Sequence, residues 1–208
     1  MSEITSEAEL RELLGEPTPR AVAKERVALH DRDLEWIAAS PFLVMATGDA
    51  AGNLDASPKG DPTGSFVHVI DRVTLAIPER PGNRRADGYR NILANPGIGL
   101  LFLIPGRNET LRVNGRARLV RDAPYFDELV VKGHRPILAV EVAVEQIFFH
   151  CAKAFLRSGL WRPATWEPDV LPSHANLVKE TMETPESVAE LEAYYAPESY
   201  ERSLYREV

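Results

Sequence analysis

Between residues 110 and 120 the chain runs Thr110-Leu111-Arg112-Val113-Asn114-Gly115-Arg116-Ala117-Arg118-Leu119-Val120, alternating apolar and polar residues at a period of two. Successive side chains of a strand point to opposite faces. The pattern therefore predicts a half-buried strand with Leu111, Val113, Ala117 and Leu119 turned inward. Gly115 interrupts it and predicts a bulge. A strand with one wet face and one dry face needs antiparallel neighbours. Candidates are the apolar runs 42–47, 54–59, 66–70, 73–77, 98–104 and 137–144, the last extended by Ile147-Phe148-Phe149. Gly48-Asp49-Ala50-Ala51-Gly52-Asn53 and Asp71-Arg72 read as hairpin connections. Strands and helices do not alternate regularly, which argues against a doubly wound sheet. The expected fold is mainly β: an antiparallel barrel with helical decoration.

Helical segments flank this core. Residues 4–40 show a Leu10, Leu13, Leu14 face, a break at Pro17 and Pro19, and a short helix with Leu34, Trp36 and Ile37 that Asp31 or Asp33 could cap. Further helices are predicted near 86–95, over 122–132 with Pro124 in the first turn, over 151–160, and from 174 onward with breaks at Pro185 and Pro197. The domain reading is an N-terminal helical extension 1–40, a barrel domain 41–162 and a C-terminal helical tail 163–208.

With 208 residues, 44% apolar and 26% charged, the chain has the size and composition of one globular domain with terminal extensions. A net charge of −7 argues against a general nucleic-acid binder. It leaves room for one anionic ligand at a local basic site. Cys151 is the one cysteine, so an intramolecular disulfide is excluded and a reducing compartment is expected. The start MSEITSEAEL lacks the basic and apolar regions of a secretory signal, and no apolar run reaches about 18 residues. The expectation is a cytoplasmic protein with no membrane and no nucleic-acid partner. His30, His134, His150 and His174 show no metal-ligand spacing, so no metal is expected.

The local basic site is Pro81-Gly82-Asn83-Arg84-Arg85-Ala86-Asp87, between the strand-like run 73–77 and a helix ending at Asn95-Pro96. Guanidinium groups bind phosphate oxygens bidentately, and a helix N-terminus adds N–H groups and a favourable dipole. The competing reading is a solvated turn. Lys59 is either a charge that blunts an edge strand or a cation at a ligand. Arg112 is either solvated on the outer face of its strand or aimed at a ligand. Lys153 and Arg157 are four apart and share a helix face, which suits an anion between them. Cys151 reads as a packed small residue and His68 as a buried, hydrogen-bonded histidine. Trp161 and Trp166 read as packing residues.

In order, Ser57-Pro58-Lys59-Gly60, Ile77-Pro78, Asn83-Arg84-Arg85 with Asp87, Asn95-Pro96 followed by Ile98-Gly99-Leu100-Leu101-Phe102, Thr110 to Ala117, and His150 to Ser158 resemble the pyridoxamine 5′-phosphate oxidase-like flavoproteins. The resemblance covers roughly residues 40–162 and is closest to a bacterial branch described as FMN-dependent enzymes. It implies a split β-barrel (the FMN-binding split barrel), a homodimer, FMN at the dimer interface and a small-molecule substrate. Ser57 and Lys59 fall where a strand of the oxidases contacts the flavin ring and ribityl chain. Ile77 and Pro78 fall where backbone groups line the ring. Asn83, Arg84 and Arg85 match residues that hold the FMN phosphate. Thr110 falls near a flavin-contacting glutamine, with Arg112 two positions on. Lys153, Arg157 and Trp161 occupy the region that reaches the flavin of the other subunit; Trp161 could cover it. The Arg-Leu-x-Pro ending of the true oxidases is replaced by Trp161-Arg162-Pro163 and a tail, so the vitamin B6 substrate does not carry over. The functional expectation is an FMN-dependent oxidoreductase, with no side chain assigned as acid or base. A non-catalytic carrier of flavin, deazaflavin or haem on the same barrel is the alternative.

Overall fold

The structure, a computed structural model, describes residues 2–205. Seven strands form its centre: β1 Phe42–Gly48, β2 Leu54–Gly60, β3 His68–Asp71, β4 Thr74–Pro78, β5 Gly97–Leu103, β6 Thr110–Val120 and β7 Ala139–His150. Every pairing is antiparallel, in the order β2-β1-β5-β6-β7-β4-β3. The fold is an antiparallel split β-barrel with helical extensions at both ends. The alternation of the sequence sets the inner face. Leu43 and Met45 of β1, Ile98, Leu100 and Phe102 of β5, and Leu111, Val113 and Ala117 of β6 share one buried core.

The interruption at Gly115 is a bulge, but its extra residue lies on the facing strand. Register passes from Asn114 opposite Gln146 to Gly115 opposite Val144, which leaves Glu145 unpaired in β7. The backbone of β7 crowds into the space so created. A Cβ at position 115 would stand 2.0 Å from the Ala143 carbonyl oxygen. Glycine is required there by close approach of main chain.

Eight α-helices lie among the described residues: α1 Glu7–Leu14, α2 Pro19–Ala23, α3 Asp31–Ala39, α4 Asp87–Ala94, α5 Lys153–Ser158, α6 His174–Thr181, α7 Val188–Tyr195 and α8 Pro197–Ser203. In the N-terminal extension α1 buries nothing, whereas Leu29 and Ile37 enter the barrel core. Arg26 exchanges both main-chain hydrogen bonds with Ile147 at 3.0 and 2.7 Å. Its guanidinium grips the fully buried Asp33 with two nitrogens. Asp33 also accepts the His30 N–H at 2.8 Å. At the other end α6 and α7 make a small apolar cluster of their own from Ala175, Val178 and Leu191. The expected break at Pro197 falls between α7 and α8, and Pro197 begins α8, as suits proline at a first helical position.

The helix expected over 122–132 is a 3₁₀ turn of Pro124–Leu129. Phe126 and Leu129, three apart, are both buried, and a three-residue period places them on one side. Positive φ at Lys132 and Gly133 then turns the chain toward β7. Cys151, expected to be packed, is exposed, because β7 has ended and α5 has not begun. No helix among the described residues is long and apolar enough to cross a membrane.

Gly115→Ala will force β6 and β7 apart. We expect a stability loss of about 2–3 kcal/mol, read as a lower urea midpoint at unchanged slope.

Candidate functional site

The connection from β4 to β5 carries the chain from near one end of the sheet into its middle, and α4 lies on that crossing. Gly88 lets this helix sit close. A Cβ there would meet Met45 Cε at 3.1 Å and Asp55 Oδ2 at 3.2 Å. Asn91 donates from Nδ2 to Thr47 Oγ1 at 3.1 Å, and Ile92 enters the core. The start of α4 is thereby pinned against β1 and β2.

Between β2, the segment after β4 and the start of α4 lies a cavity of about 470 Å³, within the size range of small-molecule sites. Ser57, Lys59, Asn83, Arg84 and Arg85 all line it. Arg84 and Ala86 both hold left-handed backbone, with φ of 58 and 57. Residues with a Cβ rarely do so, and such positions cluster at ligand clamps. Ala86 is the N-cap of α4 and provides no side-chain cap, so the first N–H groups of the helix have no side-chain acceptor. The Arg85 N–H donates to Asn83 Oδ1 at 3.1 Å, and its Nε donates to Asp87 Oδ2 at 2.7 Å.

Sequence reasoning missed four polar residues of this cavity: Asp55, Glu79, Arg80 and Tyr89. The signal for two of them was available, since Glu79-Arg80 directly follow Ile77-Pro78. Arg80 is held rigidly. Its Nε donates to Asp61 at 2.5 Å and its Nη2 to the Leu129 carbonyl at 2.8 Å. Asp61 in turn accepts the Tyr205 hydroxyl at 2.6 Å. Burial, and then the bond to Asp61, push the Tyr205 phenol up to about 12.

Lys59 sits on the edge strand β2 but is no solvated edge charge. Nζ donates to Ser57 Oγ at 2.7 Å and lies 5.5 Å from the Tyr89 ring centroid. Burial lowers its pKa, opposed by Asp55 and Glu79. Burial raises that of Glu79, opposed by Lys59 and Arg80. Burial also raises that of Tyr89, helped by Glu79. The cavity thus holds a desolvated ammonium beside a desolvated carboxyl, and both lean toward their neutral forms.

The other sequence-predicted positions lie outside this lining. Ile77 and Pro78 are buried at the end of β4, immediately before Glu79. Thr110 is buried and Arg112 half-buried at the start of β6. The Arg112 guanidinium stands 5.3 Å from the Phe148 ring centroid. Lys153 and Arg157 are exposed on α5. Trp161 stacks on Phe155 at 5.9 Å and donates from Nε1 to the Arg107 carbonyl at 2.6 Å. His68 stacks on Tyr125 at 4.8 Å, with Nδ1 3.3 Å from Glu128. No cluster of three or more metal-ligating side chains occurs among the described residues.

Residues 29–151, more than half of the chain, match the pyridoxamine 5′-phosphate oxidase family. The chain belongs to that family. No functionally curated protein matches it in sequence. Among solved structures it is similar to HupZ of Group A Streptococcus, with 21% identity, a TM-score of 0.46, and 58% of this chain aligned to 93% of that one. A candidate pyridoxamine 5′-phosphate oxidase from Lactobacillus delbrueckii shows 24% identity and a TM-score of 0.46 over 59% of this chain and 95% of that one. HutZ, the heme storage protein of Vibrio cholerae, shows 14% identity and a TM-score of 0.40 over 59% and 93%.

Glu79 offers a test of the cavity's electrostatics. Its folded pKa lies above the ordinary 4.5, so the folded state holds the proton more tightly than the unfolded chain. Stability is lost as pH rises through the raised value. Glu79→Gln removes the ionised carboxylate and its burial cost. The variant will gain thermal stability relative to the parent at pH 7, and this difference will shrink toward pH 4. A difference that does not change with pH would count against a desolvated carboxyl.

Proposed function

We propose that this protein is an FMN-dependent oxidoreductase of the pyridoxamine 5′-phosphate oxidase-like class, acting on a small molecule. The observation that carries the reading is the convergence of Asn83, Arg84, Arg85 and the uncapped start of α4 on one cavity. That donor set suits a phosphate dianion. The flavin would supply the redox step. The chain's own part is to hold and tune. Arg84 and Arg85 anchor the phosphate. Lys59, held by Ser57, stands as a cation where negative charge would develop on reduction. Ile77 and Pro78 would present main chain to the ring.

The reading includes a homodimer. Thr110, Arg112, Lys153, Arg157 and Trp161 lie away from the cavity of their own chain, and a twofold arrangement would let them reach the partner's flavin. Cys151, exposed and the one cysteine present, supports a reducing, cytoplasmic setting. No side chain is assigned as a general acid or base.

Purified protein is expected to be yellow or to take up added FMN with a flavin absorbance band. Loss of two charge-assisted contacts in Arg84→Ala plus Arg85→Ala is expected to weaken FMN binding about 100-fold or more. A colourless protein that fails to bind FMN would overturn the reading. Bound FMN that neither NADH, NADPH nor a reduced deazaflavin can reduce would move it to a non-catalytic flavin, deazaflavin or haem carrier.

A further inference from the structure

On the outer face of the β6–β7 ladder, away from the cavity, a second set of charges converges. Arg112 is opposite Phe148 and Thr110 is opposite His150 in the register. Residues two apart on a strand share a face, so Arg112, Phe148 and His150 lie together. The N-terminal extension adds a fourth member. Arg26 pairs with Ile147 as an isolated bridge, which brings Lys24 over the same face. The Lys24 ammonium stands 4.7 Å and the Arg112 guanidinium 5.3 Å from the centroid of one ring, that of Phe148. The His150 ring lies 6.1 Å from it.

No acidic side chain among the described residues pairs with this group: neither Lys24 nor Arg112 forms an ion pair. Glu25, the nearest carboxylate in sequence, accepts from Gln146 Nε2 at 2.8 Å. The His150 Nδ1 is buried and has no hydrogen-bond partner among the described residues. Burial, then Arg112 and Lys24, lower its pKa. A solvated lysine on an extension would swing away from two other cationic or ionisable groups. A cation over an aromatic ring gains only about 0.5–1 kcal/mol at exposed sites, which repulsion between close like charges offsets. Buried polar atoms without partners are rare in folded proteins and call for an explanation.

We propose that Lys24, Arg112 and His150 form a binding site for a small oxyanion, a carboxylate or phosphate group carried on a small molecule. The anion would balance both fixed charges, and His150 would offer it a ring nitrogen. On the flavin reading above, this makes the substrate an anionic one, recognised in part by the N-terminal extension. That substrate role rests on the flavin reading; the anion site stands on its own geometry.

The test uses the full-length protein as purified, with FMN added, and inorganic phosphate and acetate as probes. The imidazole cross-peak of His150, assigned by its loss in His150→Gln, is followed by NMR at constant pH and ionic strength. A saturable shift with phosphate or acetate, absent with chloride, is expected. Lys24→Met is expected to weaken it about 10-fold. In Arg84→Ala plus Arg85→Ala, which weakens FMN binding, a saturable shift is expected to persist, because Lys24, Arg112 and His150 are intact. A peak that ignores both oxyanions, or responds equally to chloride, or responds equally in Lys24→Met, would overturn the site. A colourless protein that still shows the saturable shift would uphold the site and remove only its role toward a flavin substrate.

Discussion

The β6–β7 ladder is the constraint on which the rest of the molecule depends. It runs from Thr110 opposite His150 to Val120 opposite Ala139, and each further strand joins one of its two sides. Its inner face carries Leu111, Val113, Val142 and Ile147, all fully buried. Burial of such side chains supplies most of the stabilisation in a domain of this kind. Its outer face carries Arg112, Phe148 and His150. One pairing therefore sets both the core and a charged surface. The bulge at Glu145 changes the register, and Gly115 is the residue whose missing Cβ makes room for it.

The candidate cavity depends on a second contact, the seat of α4 on β1 and β2. Gly88 removes the side chain that would hold helix and strands apart, and Asn91 ties the helix to Thr47. The loop before α4 then has little freedom. Its two left-handed residues, Arg84 and Ala86, set the basic side chains and the helix start that Ala86 leaves without a side-chain cap along the same cavity. Arg80 adds a rigid wall that Asp61, Leu129 and, through Asp61, Tyr205 keep in place. A desolvated Lys59 beside a desolvated Glu79 gives the cavity a charge balance that a solvated turn would lack.

Membership of the pyridoxamine 5′-phosphate oxidase family gives this arrangement its setting. The terminal extensions differ in how they join the barrel. Leu29 and Ile37 of the N-terminal extension enter the core, and Arg26 closes on Asp33, whereas α6 and α7 keep a small core to themselves. The N-terminal extension therefore belongs to the packing of the barrel. It also delivers Lys24 to the outer face of the central ladder.

Much was legible in the sequence because it is local. Period-two alternation in 110–120 follows from strand geometry, and turn residues at 48–53 and 71–72 follow from backbone preference. The Arg84-Arg85 pair stood out as charge against an acidic background. Other features were hidden because they depend on residues far apart in sequence. The extra residue of the bulge lies on the strand opposite Gly115, and only the pairing of β6 with β7 reveals it. The 122–132 segment became a short 3₁₀ turn in which Phe126 and Leu129 are both buried, Phe126 in a small cluster with Ala123 and the distant Ala139. Tyr89, Glu79 and Lys59 meet only once α4 has crossed the sheet. Sequence by itself determined which segments are strands, which faces are apolar and where basic charge is concentrated, since these are properties of neighbouring residues. Tertiary structure alone decided which charges lose their water and which stand unbalanced beside one another, since desolvation and Coulomb interaction depend on distance in space.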